Sequence, residues 1–248
     1  MDMTASRIHH LERASLLAAL ATLTLLAWWM MVAQPGMGAM MNRGTAATLA
    51  LNTIMWCVMM VAMMLPSASP MILTYSRVHQ SRASNRRATV PTWVFMIGYL
   101  AVWGAFSLMA AMAQWALHQG ALLSSAMGHV GAVPGGGLLI LAGLFQFSGL
   151  KQACMDKCRS PLSFLMTEWR DGVSGALVMG MRHGAFCAGC CWALMLLMFT
   201  GGVMSLLWMA ALALYFLAEK LLPWPRQMGY ATGTLLVLGG AALIVGGA

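Results

Sequence analysis

Apolar residues in this chain come in blocks of about 20, and that length decides what it can become. A helix of about 20 residues crosses roughly 30 Å of hydrocarbon. In a bilayer core no water is present to pair backbone amides, so uninterrupted apolar spans must be helical. Seven blocks stand out, at about 14–33, 45–65, 92–116, 134–150, 179–200, 203–218 and 230–247. The expected fold is therefore all-α, a polytopic transmembrane helical bundle of about seven spans. Residues 1–13 form a cytoplasmic N-terminal tail and 14–248 a single membrane domain. Only 8% of the residues are charged, against about 25% in an ordinary soluble domain. A cytosolic enzyme and a disordered chain are both excluded.

The first block is too long for the apolar region of a signal peptide and lacks a clean cleavage site, so it reads as a retained span. The basic residues then orient the chain. Arg7, Arg13, Arg77, Arg82, Arg86, Arg87, Lys151, Lys157, Arg159, Arg170, Lys220 and Arg226 fall in alternate connecting segments. The opposite set holds only Arg43. By the positive-inside rule the N-terminus lies in the cytoplasm and the C-terminus outside. The net charge of +8 is thus topology information and no sign of nucleic-acid binding. Residues 67–91 read as the one sizeable hydrophilic linker, and Gly201-Gly202 as a tight hairpin. Residues 172–200 exceed one span, and Arg182-His183-Gly184 interrupts them. Either a short interfacial helix precedes Arg182, or a broken helix opens there onto a polar site.

Sulfur is concentrated in three places. Cys154 and Cys158 are four residues apart, on one face if the turn is helical, next to Lys151, Lys157 and Arg159. Neighbouring cations favour thiolate, the form that binds metal. His183, Cys187 and Cys191 follow one another at i, i+4 steps, with Cys190 beside them, so one helix face presents an imidazole and up to three thiols. Met59 and Met63, and likewise Met60 and Met64, repeat at i, i+4 on the second span. Thioethers and thiolates together suit a soft cation, chiefly Cu(I), with zinc as the alternative. Cysteine and methionine also serve as small or flexible packing residues, so core or lipid contact stays open for each. Five of the six cysteines map to the cytoplasmic side, where thiols remain reduced.

Three motifs carry a resemblance. They are Met-Trp-x-x-Met-Met-x-Ala-Met-Met-x-Pro at 55–66, Lys-x-x-Cys-x-x-x-Cys-Arg-x-Pro at 151–161, and Gly-x-x-Cys-x-Gly-Cys-Cys-Trp-x-Leu-Met at 184–195. With Trp208-Met209 and Glu219-Lys220, they resemble the bacterial family of predicted metal-binding integral membrane proteins, a family of unknown function. The resemblance covers roughly residues 46–225. It implies a bacterial inner-membrane protein and points to Cys154, Cys158, Cys187, Cys190 and Cys191.

No phosphate-binding loop, dinucleotide fingerprint, zinc-protease motif or serine elbow is present, so no catalytic residues are assigned. Glu219 and Lys220 read as an interfacial anchor with a local charge pair, and alternatively Glu219 sits at the mouth of a metal site. The expected function is handling of a soft transition metal, Cu(I) first, in transport, delivery or detoxification. A metallochaperone or a second copy would be the partner within the bilayer. A membrane thiol oxidoreductase using the Cys pairs, or a structural subunit with packing cysteines, are the alternatives.

Overall fold

The computed structural model describes residues 3–33, 45–82, 89–120, 130–203 and 205–246, with the backbone alone at 3–11, 45, 46 and 89. Arg43, Arg86, Arg87 and His129, and the side chain of Arg7, lie outside what is described. The described residues are almost all helical, with no strand. The long elements are α1 (Met3–Ala33), α2 (Thr45–Arg82) and α3 (Thr89–Gln119). After them come α4 (Ala132–Gln146), α5 (Gly149–Arg159), α6 (Pro161–Glu168) and α7 (Gly172–Met195). The chain closes with α8 (Met198–Gly201), α9 (Leu206–Leu221) and α10 (Pro225–Gly246).

Five of these helices are long and apolar enough to cross a membrane, and a sixth span results if α4 and α5 are taken as one element bent by 66°. The expected seven are not reached. The block at 203–218 becomes α9, only 16 residues long, and at 1.5 Å per residue about 24 Å falls short of the hydrocarbon core. The block at 134–150 breaks at Phe147-Ser148. There Ser148 caps α5 by accepting a hydrogen bond from the Lys151 backbone N–H at 3.2 Å.

Two further expectations are overturned. Most of the supposed linker at 67–91 is helix, because α2 runs on to Arg82 through Pro66 and Pro70. A proline has no N–H for the carbonyl four residues earlier, which normally breaks a helix. Here the freed Ala62 carbonyl accepts the Trp28 indole N–H of α1 at 3.1 Å, which restores the lost bond. Nor does the chain break at Arg182-His183-Gly184, where α7 continues unbroken. Arg182 instead turns outward to pair with Glu168. The chain does turn at Gly202, with φ of 93°, but α8 stands between α7 and α9, so Gly201-Gly202 is not the whole connection.

Small residues let the helices approach. A Cβ on Gly180 of α7 would collide with the Phe95 carbonyl of α3, so backbone touches backbone across that pair. Between α4 and α10, Gly136 faces the Gly240 carbonyl and Gly143 faces that of Gly233. This small-residue packing replaces the hydrophobic drive that is missing between helices in lipid. The α3–α7 contact fixes the inner face of α7, where the cysteines lie, against α3.

Candidate metal centre

The first turn and a half of the cysteine run on α7 faces inward. His183, Cys187, Cys190 and Cys191 are all buried. Their spacing along one helix explains this, since i, i+4, i+7 and i+8 positions share a face. The second thiol source is α5, which packs along α7 and buries Lys151, Met155 and Cys158 on its inner side. Cys158 and Cys154 therefore do not behave alike. The Cys158 thiol lies close to those of Cys187 and Cys190. Cys154 is half-buried and sits against Gly189, where a Cβ would stand 2.9 Å from its Sγ. The Cys191 thiol lies near those of Cys187 and Cys190.

The four thiols thus form one continuous cluster. Two of them are turned back on their own helix, the Cys190 and Cys191 thiols donating to the Cys187 carbonyl at 3.1 and 2.9 Å. Among the described residues no three His, Cys, Asp or Glu side chains are set as a formed metal site would hold them. A metal ion would need those two thiols to rotate. All six cysteines are free.

Three residues that the sequence did not assign to the site complete its wall. The Lys220 ammonium reaches in from the end of α9 and donates to Cys187 Sγ at 3.0 Å and to Ser67 Oγ at 2.9 Å. The Tyr99 hydroxyl of α3 lies 3.3 Å from Cys187 Sγ and 3.2 Å from the Met64 carbonyl. Ser67 in turn donates to that carbonyl at 3.0 Å. These contacts bring the Met64 end of α2 to the thiol cluster. The expected Glu219–Lys220 pair does not form. Neighbouring helical residues diverge by about 100°, so Glu219 points to Lys151 and Tyr215 while Lys220 points to the thiols. Two adjacent charges ending an apolar helix were the signal that each needed its own buried partner.

His183 stands one turn before Cys187 among the rings of Tyr99, Phe164 and Phe95, at centroid distances of 5.5, 5.6 and 6.1 Å. Its Nδ1 is buried with no hydrogen-bond partner. Met59, Met60, Met63 and Met64 are all within 1% of full burial, so they face protein and not lipid. They do not share one face, however. Met63 lines an apolar groove of about 370 Å³ with Trp28, Pro66 and Leu217, whereas the Met64 carbonyl is linked to Cys187 only indirectly, through the Tyr99 hydroxyl.

The model of a copper chaperone family, PpoB2, matches residues 53–243. The chain belongs to that family. No curated protein and no solved structure shows significant similarity to it. The match runs from within α2 into α10 and so includes all six cysteines, His183, Lys220 and the four methionines of α2. It supports a copper-related function for this PpoB2-family chain, and it does not itself name the integral membrane family that the motifs resemble. The donor chemistry suits the cargo that the family name gives. Clustered thiols, buried thioethers and an unpartnered buried imidazole nitrogen are soft or borderline donors, and no cluster of oxygen ligands of the kind calcium or magnesium needs adjoins them among the described residues. Cu(I), unlike zinc, does not require a closed tetrahedral set.

Proposed function

We propose that this protein is a membrane-embedded copper chaperone that takes Cu(I) onto its buried thiol cluster and hands it to a partner protein at the bacterial inner membrane. The single observation that carries the reading is the gathering of four buried cysteines, Cys158, Cys187, Cys190 and Cys191, on the facing sides of α5 and α7, within a copper chaperone family. Cys158 and Cys187 are the first pair to hold the ion. Neither is committed to a backbone carbonyl, whereas Cys190 and Cys191 both are. The latter two join by rotating, which offers successive donor sets of similar softness and lets the ion move without becoming trapped.

His183 serves as the borderline donor next to the cluster, and Cys154 as an outer thiol on the face of α5. Met60 and Met64 supply weaker thioether sites on α2, with Met59 and Met63 on the adjoining face. Delivery is favoured over detoxification, because a chaperone must release what it binds and a graded series of donors permits release. Anaerobic titration of the detergent-purified protein with Cu(I), in competition with a chromophoric chelator, tests the reading. One tightly held Cu(I) per chain is expected, lost on replacing Cys158 and Cys187 together by Ser. Equal binding by the double variant would remove the reading.

A further inference from the structure

Lys220 is 8% exposed, and its Nζ touches Cys187 Sγ and Ser67 Oγ. The carboxylate next to it in sequence is engaged elsewhere, on Lys151 and Tyr215. The other ion pairs among the described residues are Arg182–Glu168 and Arg226–Asp156, so no carboxylate there pairs with Lys220. A buried ammonium is costly unless a negative charge compensates it. Of the two groups touching Nζ, only the Cys187 sulfur is able to carry that charge.

We propose that Lys220 is the specificity-determining residue of the thiol cluster, its fixed positive charge against Cys187 selecting a monovalent soft ion over a divalent one. The inference rests on the reading that the cluster binds Cu(I). When the ion bridges Cys187 and Cys158, the second thiol gives up its proton to solvent as its metal–sulfur bond forms. Two thiolates then balance one ammonium and one monovalent ion, with nothing left over. A divalent ion on the same sulfurs leaves a positive charge uncompensated inside the helix bundle. It also meets twice the repulsion from Nζ. A third thiolate would be needed to neutralise it, and a Cys190 or Cys191 thiol supplies one only by leaving the Cys187 carbonyl and losing its proton as well. Softness alone cannot exclude a soft dication such as Cd(II), whereas charge can.

The test is to measure Cu(I) and Cd(II) affinities on the full-length protein purified anaerobically in detergent, for wild type, Lys220→Met, Lys220→Gln and Lys220→Arg. The preference for Cu(I) over Cd(II) should fall at least about tenfold in the two neutral variants, since one unit charge at about 4 Å is worth several kcal/mol even at an effective dielectric of 20. The arginine variant should keep most of the wild-type preference. A ratio within about threefold of wild type in both neutral variants would overturn the inference. Wild-type protein that binds Cd(II) as tightly as Cu(I) would do so with no variant needed. If Cys187→Ser abolishes Cu(I) binding while Lys220→Met leaves the ratio unmoved, copper stays on the thiols and only the role of the lysine is lost. Cu(I) binding indifferent to Cys187→Ser would remove both.

Discussion

Lys151 and Lys220 are two buried ammonium groups reached from neighbouring residues of one helix, and they are compensated in different ways. Lys151 pairs with the Glu219 carboxylate and with Gln146, where α4 breaks and α5 begins. The Tyr215 hydroxyl donates to the same carboxylate at 3.2 Å, and Gly229 of α10 covers the group without adding a side chain. Lys220 has instead a thiol and a hydroxyl. The carboxylate pocket is hard and oxygen-lined, and it holds α5 onto α9. The thiol pocket is soft, and its compensating atom is one that a soft metal ion also seeks. Arg159 adds a second clamp on α5, through its Nε–H to the Lys220 carbonyl at 3.1 Å. The first pocket and this clamp thus keep Cys158 in place, and the second pocket is where we propose that Cu(I) binds.

Breaking the carboxylate pocket should have the largest effect. Glu219→Gln leaves Lys151 buried without a counter-charge and is expected to cost about 3–5 kcal/mol, as for other half-broken buried pairs. Thermal unfolding in detergent measures it, and Lys151→Met combined with Glu219→Leu should recover most of the loss. A neutral outcome for the single variant would mean that the two lysine environments do not differ as described. Cys187→Ser should reverse the pattern. Cu(I) affinity drops at least about tenfold, or 1.4 kcal/mol, while the unfolding midpoint moves less than in Glu219→Gln.

Within α5 the contrast sharpens further. Cys158→Ser should lower Cu(I) affinity by several times more than Cys154→Ser, because only Cys158 lies close to the other thiols. Titration of the two single variants compares them, and equal losses would move the site outward toward Gly189. The smallest effect is expected from Met60→Leu with Met64→Leu. Leucine keeps volume and apolarity, so stability should change by less than about 1.5 kcal/mol per site. The rate at which Cu(I) passes to a competing chelator should slow, and an unchanged rate would reduce these thioethers to packing.

The sequence made the helical membrane bundle readable because apolar block length is a one-dimensional property. It misplaced the ends of the blocks where tertiary contacts repair what the local sequence breaks. Pro66 reads as a terminus, yet the indole of Trp28, 34 residues before Ala62 in sequence, takes up the carbonyl that Pro66 frees and α2 continues. The i, i+4 spacing of His183, Cys187 and Cys191 placed them on one face correctly, since that face is set within a single helix. The approach of Cys158 to Cys187 depends on the break at Phe147-Ser148 and on the Lys151–Glu219 pair, neither of which is written in local periodicity. Lys220 went unassigned for the same reason. Its neighbour Glu219 offered a nearby partner in sequence, and helical geometry sends the two in different directions.

The central claim, that Cu(I) is held by the buried thiols, is tested most directly by copper K-edge X-ray absorption on the Cu(I)-loaded protein, wild type beside Cys158→Ser/Cys187→Ser. The wild-type spectrum should show a first shell made of sulfur with no oxygen scatterer, and the double variant should bind too little copper to give that shell. A wild-type shell dominated by oxygen or nitrogen, or a sulfur shell that survives in the double variant, would contradict the account.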